Sequence, residues 1–301
     1  MALNDKMIAE LSFGARFLRE ESAFFWFPCK KQISRSARNE RAVGLVFLAC
    51  VLMFAPISLH AQTIRIAAAS DLQFVLPELA AQYEKQSGVK LAITFGSSGN
   101  LFAQIQNGAP FDLFFSADIS YPGKLLTARL ADADSLQVYA TGRLVLWLPP
   151  DSPLDPSTGL KILLDPRIQK IAIANPEHAP YGRAAVAALQ HAGLYELLKP
   201  KLVLGENISQ AAQFVQSSSA QAGLLAYSLA SSPSLQSGKR WEVPADYYPQ
   251  VEQVVVLLSA SPNKMAANEF LAFLKTPAAR STFERYGFFL PPRPMEEKHK
   301  L

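Results

Sequence analysis

From residue 63 onward the chain alternates short apolar runs with segments of helical period, joined by connections of a few residues. That alternation restricts the fold more than any other feature. Strands separated by helices run parallel, because each helix carries the chain back to the same end of the sheet. A parallel sheet needs both faces covered, and its ligands lie beyond the carboxyl ends of its strands. The first unit, Thr63-Ile-Arg-Ile-Ala-Ala-Ala-Ser70-Asp71-Leu72, reads as a buried strand that stops at a Ser-Asp pair. Leu72, Val75, Leu76, Leu79 and Tyr83 then recur at helical spacing, and Gly88 lies where a helix would end. A strand running straight into a helix start leaves unpaired N–H groups at the turn. With the positive end of the helix dipole, these form a ready anion site. Ser70 adds a hydroxyl donor there, and a helix start turns Asp71 outward, toward the free amides.

The pattern continues with a strand over 89–95, the turn Gly96-Ser97-Ser98-Gly99 and a short helix over 100–106. Residues 111–115 read as a fully buried strand, followed by Ser116-Ala117-Asp118 and a helix near 121–128. A long apolar strand over 137–148 ends at Pro149-Pro150 and crosses into a second lobe. Strands over 170–174, 201–204 and 222–226, helices over 183–191 and 208–216, and a loose segment at 231–240 make up that lobe. A return strand over 253–259 and helices over 263–275 and 278–286 pack back on the first. The expected division is residues 62–140 with 252–290 in lobe I, 141–251 in lobe II, and a Pro- and charge-rich tail at 291–301. Two crossings of this kind leave a hinged cleft.

Residues 1–61 stand apart. The apolar run 42–55 (AVGLVFLACVLMFA) is too short for an ordinary spanning helix, with Arg35, Arg38 and Arg41 before it and Pro56 to Ala61 after it. This is the layout of a secretory signal peptide with an extended N-terminal region, cut after Ala61, which implies that the mature chain is exported across the inner membrane. Leu48-Ala49-Cys50 offers a competing lipid-anchor reading. The leader holds 8 of the 29 Lys/Arg and 5 of the 25 Asp/Glu, so the remaining 240 residues carry a net charge of only +1. No basic face argues for nucleic acid. Both cysteines, Cys29 and Cys50, fall in the leader, which leaves the mature chain without disulfides or thiolate metal sites.

Four strand-to-helix corners are candidates for function: Ser70, Ser97-Ser98, Pro180-Tyr181-Gly182 and Asn207-Ile208. None carries a Lys, an Arg or a His that must face a ligand. Hydroxyls and main-chain amides can still hold a dianion if several helix starts converge and water is excluded. Each serine alone is equally an N-cap, so convergence carries the functional reading. Gly96-Ser-Ser-Gly99-Asn100 lacks the spacing of a nucleophile elbow. A triad could form only through His178, and Glu177 with His178 is too small a cluster for a metal. Asp112 and Asp118 read as solvated or capping, and Phe111, Phe114 and Phe115 as core.

The segments AAASDL (67–72), FGSSGNL (95–101), GAPFDLFFSAD (108–118), ANPEHAPYG (174–182) and FERYGF (283–288) resemble the periplasmic molybdate-binding proteins that feed ABC importers. They recur in the family's order from about 63 to 290. The resemblance implies an α/β, two-lobed type II periplasmic binding fold, each lobe a mainly parallel sheet flanked by helices, with molybdate or tungstate in the cleft. It implies a binding protein without a cofactor, a monomer, whose partner is the membrane permease of an ABC importer. By position it implies contacts to the oxyanion from Ser70 and Ser98 in the first lobe, and from Tyr181 and Ile208 in the second, chiefly through main-chain N–H. The same four count as a metal site only if molybdate is counted as a metal. Some members place a tyrosine hydroxyl on the anion from the strand after Gly223; here Ala226 aligns there, and Tyr227 lies one place later. Competing readings are sulfate or phosphate as ligand, or a transferase or hydrolase on the same scaffold.

Overall fold

The computed structural model describes residues 63–291; the expected signal peptide, and the tail beyond Pro291, lie outside the described residues. Elements follow in chain order: β1 (Thr63–Ala69), α1 (Val75–Ser87), β2 (Lys90–Gly96), α2 (Ser98–Gln106), β3 (Leu113–Ser116), α3 (Ser120–Thr127), β4 (Gln137–Gly142) and β5 (Leu144–Leu148). Then come β6 (Ile171–Ala174), α4 (Pro180–His191), α5 (Tyr195–Leu198), β7 (Leu202–Gly205), α6 (Ile208–Gln216), β8 (Ala222–Ala226), α7 (Tyr227–Ala230) and β9 (Lys239–Glu242). Finally come β10 (Val251–Leu257), α8 (Lys264–Phe273) and α9 (Pro277–Arg285).

Two five-stranded sheets result, ordered β2-β1-β3-β10-β4 in lobe I and β7-β6-β8-β5-β9 in lobe II. In each, the three strands joined through helices are parallel, one strand (β10 or β5) runs antiparallel beside them, and the edge strand β4 or β9 pairs antiparallel with that one. The fold is the α/β two-lobed architecture expected. In lobe I the strand residues alternate between two covered faces. Ile64, Ile66, Ala68, Leu113 and Phe115 pack with α1, α8 and α9, whereas Ala67 and Phe114 pack with Leu101, Ile105, Tyr121 and Leu125. Leu72, Val75, Leu76, Leu79 and Tyr83 are all buried in the first of these clusters. Each such large side chain contributes about 1.5–3 kcal/mol on burial.

The structure departs from the sequence reading in four informative places. The apolar run 137–148 is two strands, broken at Arg143, with β4 in lobe I and β5 in lobe II. At the break, a Cβ on Gly142 would lie 2.0 Å from the Tyr181 hydroxyl and 3.1 Å from Gln253 Nε2, so only glycine fits. Ser70–Leu72 form a single 3-10 turn, and the α-helix starts only at Val75. Asp112 is neither solvated nor capping. It is fully buried and accepts from Arg65 N at 2.7 Å, Ser261 Oγ at 2.6 Å and Asn263 Nδ2 at 3.2 Å, stitching β1 to the approach to α8. β9, in the segment expected to be loose, is a largely exposed edge strand paired with β5.

Candidate functional site

Capping explains how the chain builds two of the four corners. Ser97 caps α2 by accepting from Asn100 N at 3.3 Å. Asn207 caps α6 by accepting from Ser209 N and Gln210 N at 3.0 and 3.1 Å. The caps therefore consume amides of the second and third helical residues. The first-turn N–H groups of Ser98 and Ile208 have no acceptor within their own helices. Tyr181 is the second residue of α4, after Pro180, and its N–H likewise has no acceptor within its own helix. Ser98 is fully buried, and its hydroxyl accepts from Ala117 N at 3.1 Å, which leaves its own proton to donate. Ser70 is buried at the end of β1, and its hydroxyl has no partner.

Four joints across the cleft bring these corners together. Gly99 N donates to the carbonyl of His178 at 2.9 Å, tying the Ser98 corner to the loop before Tyr181. Asn100 bonds to Glu206, and Ser209 bonds to Gln73, tying the Ser98 and Ser70 corners to the Ile208 corner. Arg183 pairs with Asp118 and donates to the Tyr121 hydroxyl at 3.3 Å. Ala69 and Ala117 of lobe I share one buried apolar cluster with Tyr181 and Ile208 of lobe II. The Ser70–Leu72 turn packs on α6 and α7. Sequence reasoning missed Gln73, Asn100, Arg183, Glu206 and Ser209, because polar residues in unrelated helices carry no shared periodic signal. Asp118, expected to be solvated or capping, is not the N-cap of α3, which is Ile119: its Oδ1 accepts from Ser120 N at 2.6 Å, and its Oδ2 pairs with Arg183.

Asp71 does not turn outward. Its backbone is in the 3-10 turn, and its side chain is buried between the lobes. Oδ2 accepts from Gln253 Nε2 at 2.8 Å, Gln253 Oε1 in turn accepts from the Tyr139 hydroxyl at 3.2 Å, and the Asp71 carbonyl accepts from Ser228 Oγ at 2.8 Å. Burial raises the Asp71 carboxyl from 3.8 to about 7, against the opposing influence of Tyr181, its own backbone and Gln253. The Tyr181 hydroxyl is raised well above 10, first by burial and then by the charge of Asp71. Ser70 Oγ, Asp71 Oδ1 and Tyr181 Oη are the buried side-chain polar atoms without a hydrogen-bond partner among the described residues. Of these, the Asp71 carboxyl and the Tyr181 hydroxyl act on one another.

The side chain of Tyr181 thus turns toward Gly142 and the crossing, so any anion contact at this position falls to the main chain. The ring of Tyr227 lies 3.7 Å from the Arg143 guanidinium and 5.0 Å from that of Arg240. It lines a separate cavity of about 410 Å³ with Arg285 and Gly287, whose lining includes none of the four candidate positions. Among the described residues no group of three or more His, Cys, Asp or Glu side chains could hold a metal ion. His178 Nε2 instead lies 3.0 Å from the carbonyl of Glu206.

Two lobes, one of them discontinuous in sequence, joined by two crossings and meeting at helix starts, are the architecture of a solute-binding protein. The sequence profile described as bacterial extracellular solute-binding protein matches residues 64–289, and the chain belongs to that family. A molybdate-binding protein of Azotobacter vinelandii is 36% identical over 250 residues, 83% of this chain and 96% of that protein. One from Rhodobacter capsulatus is 38% identical over 247 residues, 81% and 95% of the two chains. The solved periplasmic molybdate-binding protein of A. vinelandii superposes with a TM-score of 0.73 at 34% identity, covering 76% of this chain and 100% of that one. The chain is, like these relatives, a binding protein and not an enzyme.

Proposed function

We propose that this protein captures molybdate, or tungstate, outside the cytoplasm and delivers it to the membrane permease of an ABC importer. The anion is held by Ser70 and Ser98 from lobe I and by the main chain at Tyr181 and Ile208 from lobe II. In this reading residues 62–140 with 252–290 move as one body, and 141–251 as the other. The protein works as a monomer, exported by its leader to the periplasm. The observation that supports the reading is that four cross-cleft bonds link the segments carrying the four corners, and that the Ser70 hydroxyl is buried without a partner. Amide and hydroxyl donors suit a dianion, because charge-assisted hydrogen bonds contribute about 1.5–3 kcal/mol each. A fixed ring of donors selects by anion size. Closure on the anion then gives the permease a form to recognise.

The buried Asp71 keeps phosphate as the second reading, since an inward carboxylate could accept the proton of hydrogenphosphate. Calorimetric titration with molybdate, tungstate, sulfate and phosphate separates the two. Tight binding of the first two supports the proposal, and heat from phosphate alone sinks it.

A further inference from the structure

Each candidate corner carries, within three residues of its anion-facing position, a group that reaches the other lobe: Gln73 after Ser70, Gly99 and Asn100 after Ser98, Arg183 after Tyr181, Ser209 after Ile208. Most of these joints involve at least one neutral group. Among the described residues, Arg183–Asp118 is the ion pair that runs from a helix of lobe II to lobe I. It is held on both sides. Asp118 is oriented by its bond to Ser120 N at 2.6 Å, and the Arg183 guanidinium lies 5.5 Å from the Tyr121 ring centroid while donating to that hydroxyl. The side chains keep only 22% and 38% of their exposure, so water screens the pair less than an open surface pair.

Arg183 stands two residues from Tyr181, where its charge could serve the anion directly. Its pairing with Asp118 spends that charge on the opposite lobe instead. We propose that Asp118 and Arg183 form a latch that sets how long the oxyanion stays in the closed cleft, as positioning residues that do not contact it. The proposal rests on the oxyanion reading above. Release requires the lobes to part, so losing the latch speeds release, while capture by the open form is unchanged.

Asp118→Asn decides the matter, because its amide oxygen can still accept from Ser120 N while the ion pair is lost. Release is read from the wild type and the variant loaded with labelled molybdate and diluted into excess unlabelled anion. The latch predicts release faster by about three- to fivefold in Asp118→Asn, an association rate within about twofold, and a difference that shrinks in high salt. Arg183→Gln behaves alike, and combining the two adds nothing further. If Asp118→Asn binds molybdate more tightly, Arg183 is a counter-charge for the anion and the latch is overturned. Unchanged release in Asp118→Asn also overturns it, leaving the oxyanion reading intact. A wild-type protein that binds none of the oxyanions overturns both.

Discussion

The main-chain N–H of Gly99 donates to the carbonyl oxygen of His178 at 2.9 Å, so the start of α2 in lobe I touches the loop before α4 in lobe II through backbone alone. A Cβ on Gly99 would lie 2.7 Å from His178 Cβ and 2.9 Å from that same carbonyl oxygen. Neither neighbour is a flexible side-chain end. Gly99→Ala should therefore hold the lobes apart. Molybdate affinity is expected to fall at least about tenfold, near 1.4 kcal/mol, by calorimetry. The melting temperature without anion should change little, because each lobe keeps its core.

The two serines separate binding from stability. Ser70 Oγ has no protein partner, so Ser70→Ala should weaken anion binding by about tenfold and leave thermal stability unchanged. Ser98→Ala should weaken binding at least as much, but it also strips the buried Ala117 N of its acceptor. An additional loss of about 1–3 kcal/mol in unfolding free energy is expected from denaturant titration. Equal stability effects of the two substitutions would contradict this assignment.

Asp71 predicts a pH dependence with a definite sign. Its folded value of about 7 lies above the ordinary 3.8, so between these values the folded chain holds a proton that the unfolded chain has released. Stability should fall as pH rises from about 4 to about 7, by at most about 4 kcal/mol, and stay level above that window. Asp71→Asn should lack this decline, gaining on the wild type between about pH 4 and about pH 7 in paired melts. Parallel pH profiles for the two proteins would rule out a buried, neutral Asp71.

Gly142→Ala should destabilise the crossing, because the new methyl group meets the Tyr181 hydroxyl. A cost of about 1–3 kcal/mol is expected from overpacking. Adding Tyr181→Phe should recover part of that loss, and a double variant no better than the single one would place the strain elsewhere.

Element type was legible wherever the signal was local. β8 appears over the residues read from the sequence, and Leu72, Val75, Leu76, Leu79 and Tyr83 are buried as their spacing required. The single strand over 137–148 was misread because an apolar run looks the same whether it serves one sheet or two. The break at Arg143 follows from the approach of Tyr181, which is distant in sequence. β9, with Lys239-Arg240-Trp241-Glu242, shows no alternation, since an exposed edge strand buries almost nothing. Asp71 was read as facing the amides of a helix start. It lies instead within a 3-10 turn, and Gln253, 182 residues away, supplies a hydrogen bond inside.

By itself the sequence determined the α/β class, the paired crossings and the family, because periodicity, capping residues and short ordered motifs act over a few neighbouring residues. Tertiary structure alone decided where the lobes part, which side chains meet across the cleft and how Asp71 ionises. Those outcomes depend on close approach and on exclusion of water between residues far apart in the chain, and no local pattern encodes either.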